Sequence, residues 1–421
     1  MIDSPNQSLY REISRSISHL GSQLLRLTSP QENLIFSPLS IFIAAGILYE
    51  GSSGETKDEL SSIFEGFDTQ FELEELGRLI SELASRPKLG KISSRSLGFD
   101  GQKNMWMGPG LDKRELNALD ENVNAEETDL ILEILNSLWI QDGSPWEESF
   151  LRFIQKEMSS DIRSLDLVGN PVHAAGEINE WISKNTRGKL GSMISPQDIT
   201  EEARLILANT IYFKSKWFKE FSPPFVRKFK QLDETSVQAN MIRADLPSKR
   251  YEITQEYIAV EIPYSHSSLS MTILMPKVNG KKHLDNLEEK LPALLDTLPI
   301  KHDYTLPEVS LTMPEFEISS MFPLRSQMNK LGISHIFSRE ADLSPMSTFK
   351  PLWVDQILHG AYIHVDQYGT EATAATLAVS MGAYFKEEKK IDIVIDHPFF
   401  FVIHDKPTKA ILFMGRVLNP S

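Results

Sequence analysis

GTEATAATLAVSMGA, residues 369–383, is the stretch on which the reading of this chain turns. Every second position from Thr370 is small: Thr370, Ala372, Ala374, Thr376, Ala378, Ser380 and Gly382. The alternate positions, Glu371, Thr373, Ala375, Leu377, Val379 and Met381, are mixed and grow more apolar toward the end. A strand sends successive side chains to opposite faces, so the small face could slide into a closely packed layer. Yet the segment lies between Gly369 and the charged run Lys386-Glu387-Glu388-Lys389-Lys390, the setting of a solvated loop. It reads as a strand that is not yet in its sheet. The same letters also fit a low-complexity surface loop or an alanine-rich helix.

Around this stretch, composition is that of a large globular protein. Its 421 residues can bury a sizeable core; 41% are apolar, 24% charged, and no tract is long or apolar enough to span a bilayer. A net charge of −15 argues against general nucleic-acid binding, which needs an extended basic face. The absence of cysteine excludes a disulfide frame, thiol catalysis and a thiolate metal site. The opening MIDSPNQSLYREISRS lacks the cationic start and apolar core of a secretory signal, so cytosolic synthesis is the default expectation.

Residues 8–28 carry leucine and isoleucine at helical spacing, an amphipathic opening helix. A short apolar strand, Ser37-Pro38 and a nearly all-apolar helix from Leu39 to Tyr49 follow, and that helix must be buried. Another helix follows around 56–65, and residues 72–85 read as an exposed one. From Arg86 to Glu127 the pattern dissolves into Gly, Ser, Asn and charge, a surface insertion at 86–127. Thereafter strands (130–141, 204–214, 251–262, 268–275, 305–318) alternate with helices (145–158, 174–186, 284–297, 323–331). The end is strand-rich: 358–368, 391–396, 398–404 and 410–417. Without a repeat or a linker, 1–421 reads as one mixed α+β domain.

Enzyme motifs are missing: there is no G-x-S-x-G elbow, P-loop, H-E-x-x-H helix or G-x-G-x-x-G turn. The ten histidines are scattered; His359 and His364, near a strand end, read as structural. A catalytic site, a metal and a cofactor are therefore not expected.

Five blocks carry a resemblance. NLIFSPLSIFIAAGILYEGSSGET (33–56), EINEWISKNTRGKL (177–190), LANTIYFKSKWFKEF (207–221), GTEATAATLA (369–378) and HPFFFVIHDKPTKAILFMGRVLNP (397–420) resemble, in order and spacing, those of the serpins. The resemblance implies a large central β-sheet, two smaller sheets, about nine helices and an exposed reactive-centre loop, here 367–390. It also implies inhibition of serine proteases. A protease cuts the loop, forms an acyl-enzyme, and is trapped as a covalent 1:1 complex when the freed strand inserts into the central sheet. A monomer is expected. The small, proline-free face of 369–385 favours an inhibitory member over a carrier or chaperone, because a bulky or charged residue there would slow insertion.

The resemblance assigns positions as well. The hinge is Gly369, Thr370, Glu371, Ala372, Thr373, Ala374, Ala375 and Thr376. Ser37, Ser40, Asn179, Asn209 and His359 match polar residues where two central strands part, and Trp217 matches the point where insertion begins. By the usual spacing from the hinge glycine the cut falls at Ala383–Tyr384, for an elastase-like protease. One or two residues later, Tyr384 or Phe385 would suit a chymotrypsin-like protease, and Lys386 a trypsin-like one. Departures are Gln367, where Glu is usual, the bulky Tyr368, and a loop lengthened after Tyr384. The stretch 86–127 follows a helix that, by the resemblance, binds heparin in several members, and Arg78, Arg86, Lys88, Lys91 and Arg95 give local positive charge there. They read either as a sulfated-polysaccharide site or as a solvated basic loop. Family members without classical signals also reach extracellular sites, so release by a non-classical route is compatible with cytosolic synthesis.

Overall fold

Leu34, Ile35 and Phe36 form a short buried strand that Ser37 ends by capping the next helix: its side chain accepts from the Ser40 amide at 3.1 Å, with Pro38 at the first helical position. That helix is buried from Pro38 to Tyr49, as its apolar letters require. The computed structural model describes residues 5–28, 31–64, 69–89, 130–246, 249–266, 268–303, 305–371 and 390–421.

Among these residues lie eight α-helices and sixteen strands. The helices are α1 (Pro5–Leu27), α2 (Pro38–Glu50), α3 (Gly54–Ser61), α4 (Thr69–Leu89), α5 (Glu148–Lys156), α6 (Pro171–Asn185), α7 (Lys281–Asp296) and α8 (Arg325–Lys330). One sheet runs in the order β1-β16-β15-β9-β8-β7, from Leu34–Phe36, Ile411–Val417, Phe399–Asp405, Leu269–Pro276, Tyr257–Pro263 and Tyr251–Ile253. A second runs β14-β10-β6-β5, from Lys390–Val394, Glu308–Pro314, Ser236–Leu246 and Phe225–Lys230. The third runs β11-β12-β13-β4-β2-β3, from Phe316–Pro323, Gln356–Val365, Gly369–Thr370, Leu205–Lys216, Ile131–Gln141 and Asp161–Leu165. This is the three-sheet α+β architecture that the resemblance implies.

The third sheet holds the feature that matters. β4 and β12 are parallel neighbours from Gln356↔Ile206 to Ala361↔Ile211, and beyond that they part to admit the two residues of β13. One face rests on the main core with α2; the other is covered by α6 through Trp139, Ile178, Trp181, Ile206, Ala208 and Leu358.

Several expectations are corrected. α4 is not an exposed helix: Leu73, Leu76, Leu79, Ile80 and Leu83 bury one side of it. The stretch 251–262 is two strands, with a turn at 254–256, and 305–318 divides into β10 and β11. The expected insertion at 86–127 begins later, because 86–89 complete α4, and 90–127 lie outside the described residues.

The first sheet tolerates no extra atom at Gly415. A Cβ there would lie 2.3 Å from the Leu34 carbonyl oxygen and 2.6 Å from the Phe401 ring. Gly415→Ala is expected to cost about 1–3 kcal/mol, read as a lower thermal midpoint of the uncleaved protein.

Candidate functional site

β13 sits between β12 and β4, antiparallel to both, with Thr370 opposite Val365 on one side and Ser215 on the other. A tight turn delivers it: the Asp366 carboxylate accepts from the amides of Tyr368 at 2.8 Å and Gly369 at 3.0 Å. Only glycine fits at 369, since a Cβ would stand 2.2 Å from the Ser215 carbonyl oxygen. Thr370 is buried, and its hydroxyl is 2.7 Å from that of Tyr264. Tyr264 stacks on Trp217 with ring centres 4.6 Å apart. Trp217 in turn donates its indole N–H to the Asp366 carbonyl at 2.9 Å and its amide to the Tyr368 carbonyl at 2.9 Å. Trp217 therefore stands at the mouth of the gap.

The Glu371 amide still bonds the His364 carbonyl at 2.9 Å, but its backbone has φ 58°, outside the range of a strand. Its carboxylate, 7% exposed, accepts from the Tyr212 hydroxyl at 3.0 Å and lies 3.2 Å from Lys189 Nζ. Burial and the Glu371 charge both push the Tyr212 hydroxyl upward from the ordinary phenol value. The expected hinge residues Ala372–Thr376, and the candidates Ala383, Tyr384, Phe385 and Lys386, lie outside the described residues.

Below the gap the seam is closed by a buried polar cluster. His359 Nε2 accepts from the Ser37 amide at 3.1 Å, so Nδ1 carries the proton and donates to Asn209 Oδ1. The Ser40 hydroxyl donates to the same oxygen at 3.3 Å. Ser37, Ser40, Asn209 and His359 are thus brought together. Asn179 is not: it lies on α6, where it accepts from the amides of Met193 and Ile194 and donates to the Ile194 carbonyl at 2.7 Å. Its expected place in the cluster is corrected; it fixes the turn after α6. Sequence reasoning also missed Asn136, which pairs in register with Asn209. Asn136 Oδ1, Asn209 Nδ2 and Thr210 Oγ1 are buried without a hydrogen-bond partner.

The two described members of the basic set do not share a basic surface. Arg86 is buried, with its guanidinium held by Asp405 at 2.9 and 3.0 Å and by Glu82 at 2.9 Å, so it is corrected from a ligand-binding to a structural residue. Arg78 is exposed and paired with Glu75 one turn away. The Lys88 side chain, Lys91 and Arg95 lie outside the described residues.

With this geometry in view, similar proteins can be set beside the chain. A family profile described as "Serpin (serine protease inhibitor)" matches residues 16–420. Neuroserpin of Gallus gallus is 30% identical over 407 residues, covering 94% of this chain and 88% of that protein. Leukocyte elastase inhibitor of Xenopus laevis is 28% identical over 401 residues, covering 92% and 93%. The crystal structure of Serpin48 from the insect Tenebrio molitor aligns over 100% of both chains with a TM-score of 0.76, at 21% identity, and so speaks for the fold.

Burial holds His359 at about 3, far below an ordinary histidine. The unfolded chain therefore binds a proton that the folded chain refuses between about pH 6.5 and 3, so this group is expected to lower stability by about 1 kcal/mol for each pH unit through that window. His404, also held at about 3 chiefly by burial, acts in the same direction. The thermal midpoint of the uncleaved protein is expected to drop as pH falls below 6.5, and less steeply in His359→Gln.

Proposed function

Because the chain belongs to the serpin family, we propose that it inhibits serine proteases as a suicide substrate, with elastase- or chymotrypsin-like targets. The observation that carries this reading is Thr370, a loop residue already buried in the gap between β4 and β12. The protease's serine oxygen attacks the carbonyl carbon before the cut, the C–N bond breaks, and the leaving amine takes a proton from the protease's own general acid. The inhibitor then remains esterified to the enzyme. If the freed strand continues the register of Thr370, residues 371–380 come to lie against 205–214 of β4 and 355–364 beside and along β12.

In that register the small residues share Thr370's face, toward the main core. Thr376 arrives between Asn209 and His359, so their bond must break as a hydroxyl becomes available to each. The seam can open without stranding those groups. The protease is carried along the sheet before water reaches the ester. Target preference rests on the small Ala383 and the aromatic Tyr384 and Phe385 near the expected cut.

Chymotrypsin and elastase are the probes. Incubation with one of them is expected to give an SDS-stable complex larger than the chain, and the mass of the released C-terminal fragment identifies the bond. Thr370→Arg is expected to be cleaved at a similar rate with little complex, since a guanidinium would be desolvated against Tyr264. Wild-type chain that yields only cleaved product with both proteases would instead indicate a non-inhibitory carrier or chaperone.

A further inference from the structure

We propose that Glu371 is a positioning residue, clamped by Lys189 and Tyr212, that halts the uncleaved loop one step into the sheet; this rests on the inhibitory reading above. Among the described residues Thr370 is the last in the ladder, and Glu371 follows it with a left-handed backbone. A residue with a Cβ adopts that conformation only when its surroundings hold it there. Here the holding contacts are on the carboxylate: the Tyr212 hydroxyl of β4 at 3.0 Å and Lys189 at 3.2 Å.

Lys189 belongs to the segment that returns from α6 across the outer face of the sheet. It reaches the Tyr362 hydroxyl of β12 at 3.3 Å, and that hydroxyl donates to Glu317 of β11 at 2.7 Å. The neighbouring Leu190 lies on Gly360, where a Cβ would meet it at 2.6 Å. Gly360 is one of the β12 residues paired directly with β4. The segment that grips Glu371 therefore also covers the seam through which the strand would enter.

Advance of the loop requires residue 371 to become extended, as any strand residue is. That rotation carries its carboxylate away from Lys189 and Tyr212. One contact thus opposes premature entry and ties the hinge to the cover over the seam. The alternating pattern alone marks Glu371 merely as the first residue of the outward face, with no partner.

The test follows uncleaved protein without any protease. Wild type, Glu371→Gln, Lys189→Met and Tyr212→Phe are warmed, and conversion to a heat-stable uncleaved monomer is read on urea gels. Loss of a charge-assisted contact to a part-exposed lysine is expected to speed conversion about three- to tenfold in Glu371→Gln and Lys189→Met. The double variant should be little faster than either single, because both remove the same contact. Tyr212→Phe, which deletes only a hydroxyl, should lie between these and wild type. With chymotrypsin or elastase, whichever forms complex, Glu371→Gln should also trap a larger fraction per cleavage event, which general loosening would not produce. Conversion at the wild-type rate in all three single variants, or additive acceleration in the double variant, would overturn the clamp. A wild-type chain that converts on warming but never traps protease would leave the clamp standing and remove the inhibitory reading instead.

Discussion

Two parallel strands at the middle of a sheet, closed at one end and parted at the other, set the terms for the rest of this molecule. β4 and β12 pair directly only from Gln356↔Ile206 to Ala361↔Ile211, and the two residues of β13 occupy the far end. Parallel pairing is slightly weaker per residue than antiparallel. A strand running from Thr370 toward the closed end would be antiparallel to both neighbours and would replace one parallel seam by two antiparallel ladders. On the inhibitory reading proposed above, the ties of the loop at its two ends, to β13 and to β14 (Lys390–Val394), would hold the uncleaved fold short of that arrangement.

The closed end is polar where a core is ordinarily apolar. Ser37, Ser40, Asn209 and His359 are all buried and bonded to one another, while Asn136, Asn209 and Thr210 keep buried polar atoms without partners. Each such atom costs about 1–3 kcal/mol. An apolar seam would be more stable and harder to reopen. A polar one that is incompletely bonded loses little when its strands separate and a hydroxyl enters. The same chemistry makes the cluster acid-sensitive, because His359 can serve as acceptor to the Ser37 amide only while neutral.

Much of this was legible in the letters. The apolar run Leu39–Tyr49 could only be buried, and Ser37-Pro38 marks its start. The small face beginning at Thr370 points to a strand awaiting a place, and its first residue lies in the sheet. Other parts were illegible for physical reasons. β5, FVRKFK, and β6 expose most of one or both faces, so their apolar residues do not alternate strongly enough to declare a strand. Asn179 and Asn209 are the same residue type in blocks of equal resemblance, and the letters put one on a helix and the other on a strand; only the packing shows that Asn209 meets His359 while Asn179 bonds the turn after α6. Arg86 reads as surface charge until Asp405, far along the chain, closes on it. Tyr264, Tyr212 and Lys189 act through contacts across the sheet and carry no local pattern.

The central claim is that the uncleaved fold lacks a strand which it has room to accept. Thermal unfolding of the intact chain beside the chain nicked between Ala383 and Lys386 tests it most directly. The account predicts that the nicked protein, with its added strand between β4 and β12, unfolds at a much higher temperature than the intact one. Equal midpoints for the two forms would contradict it.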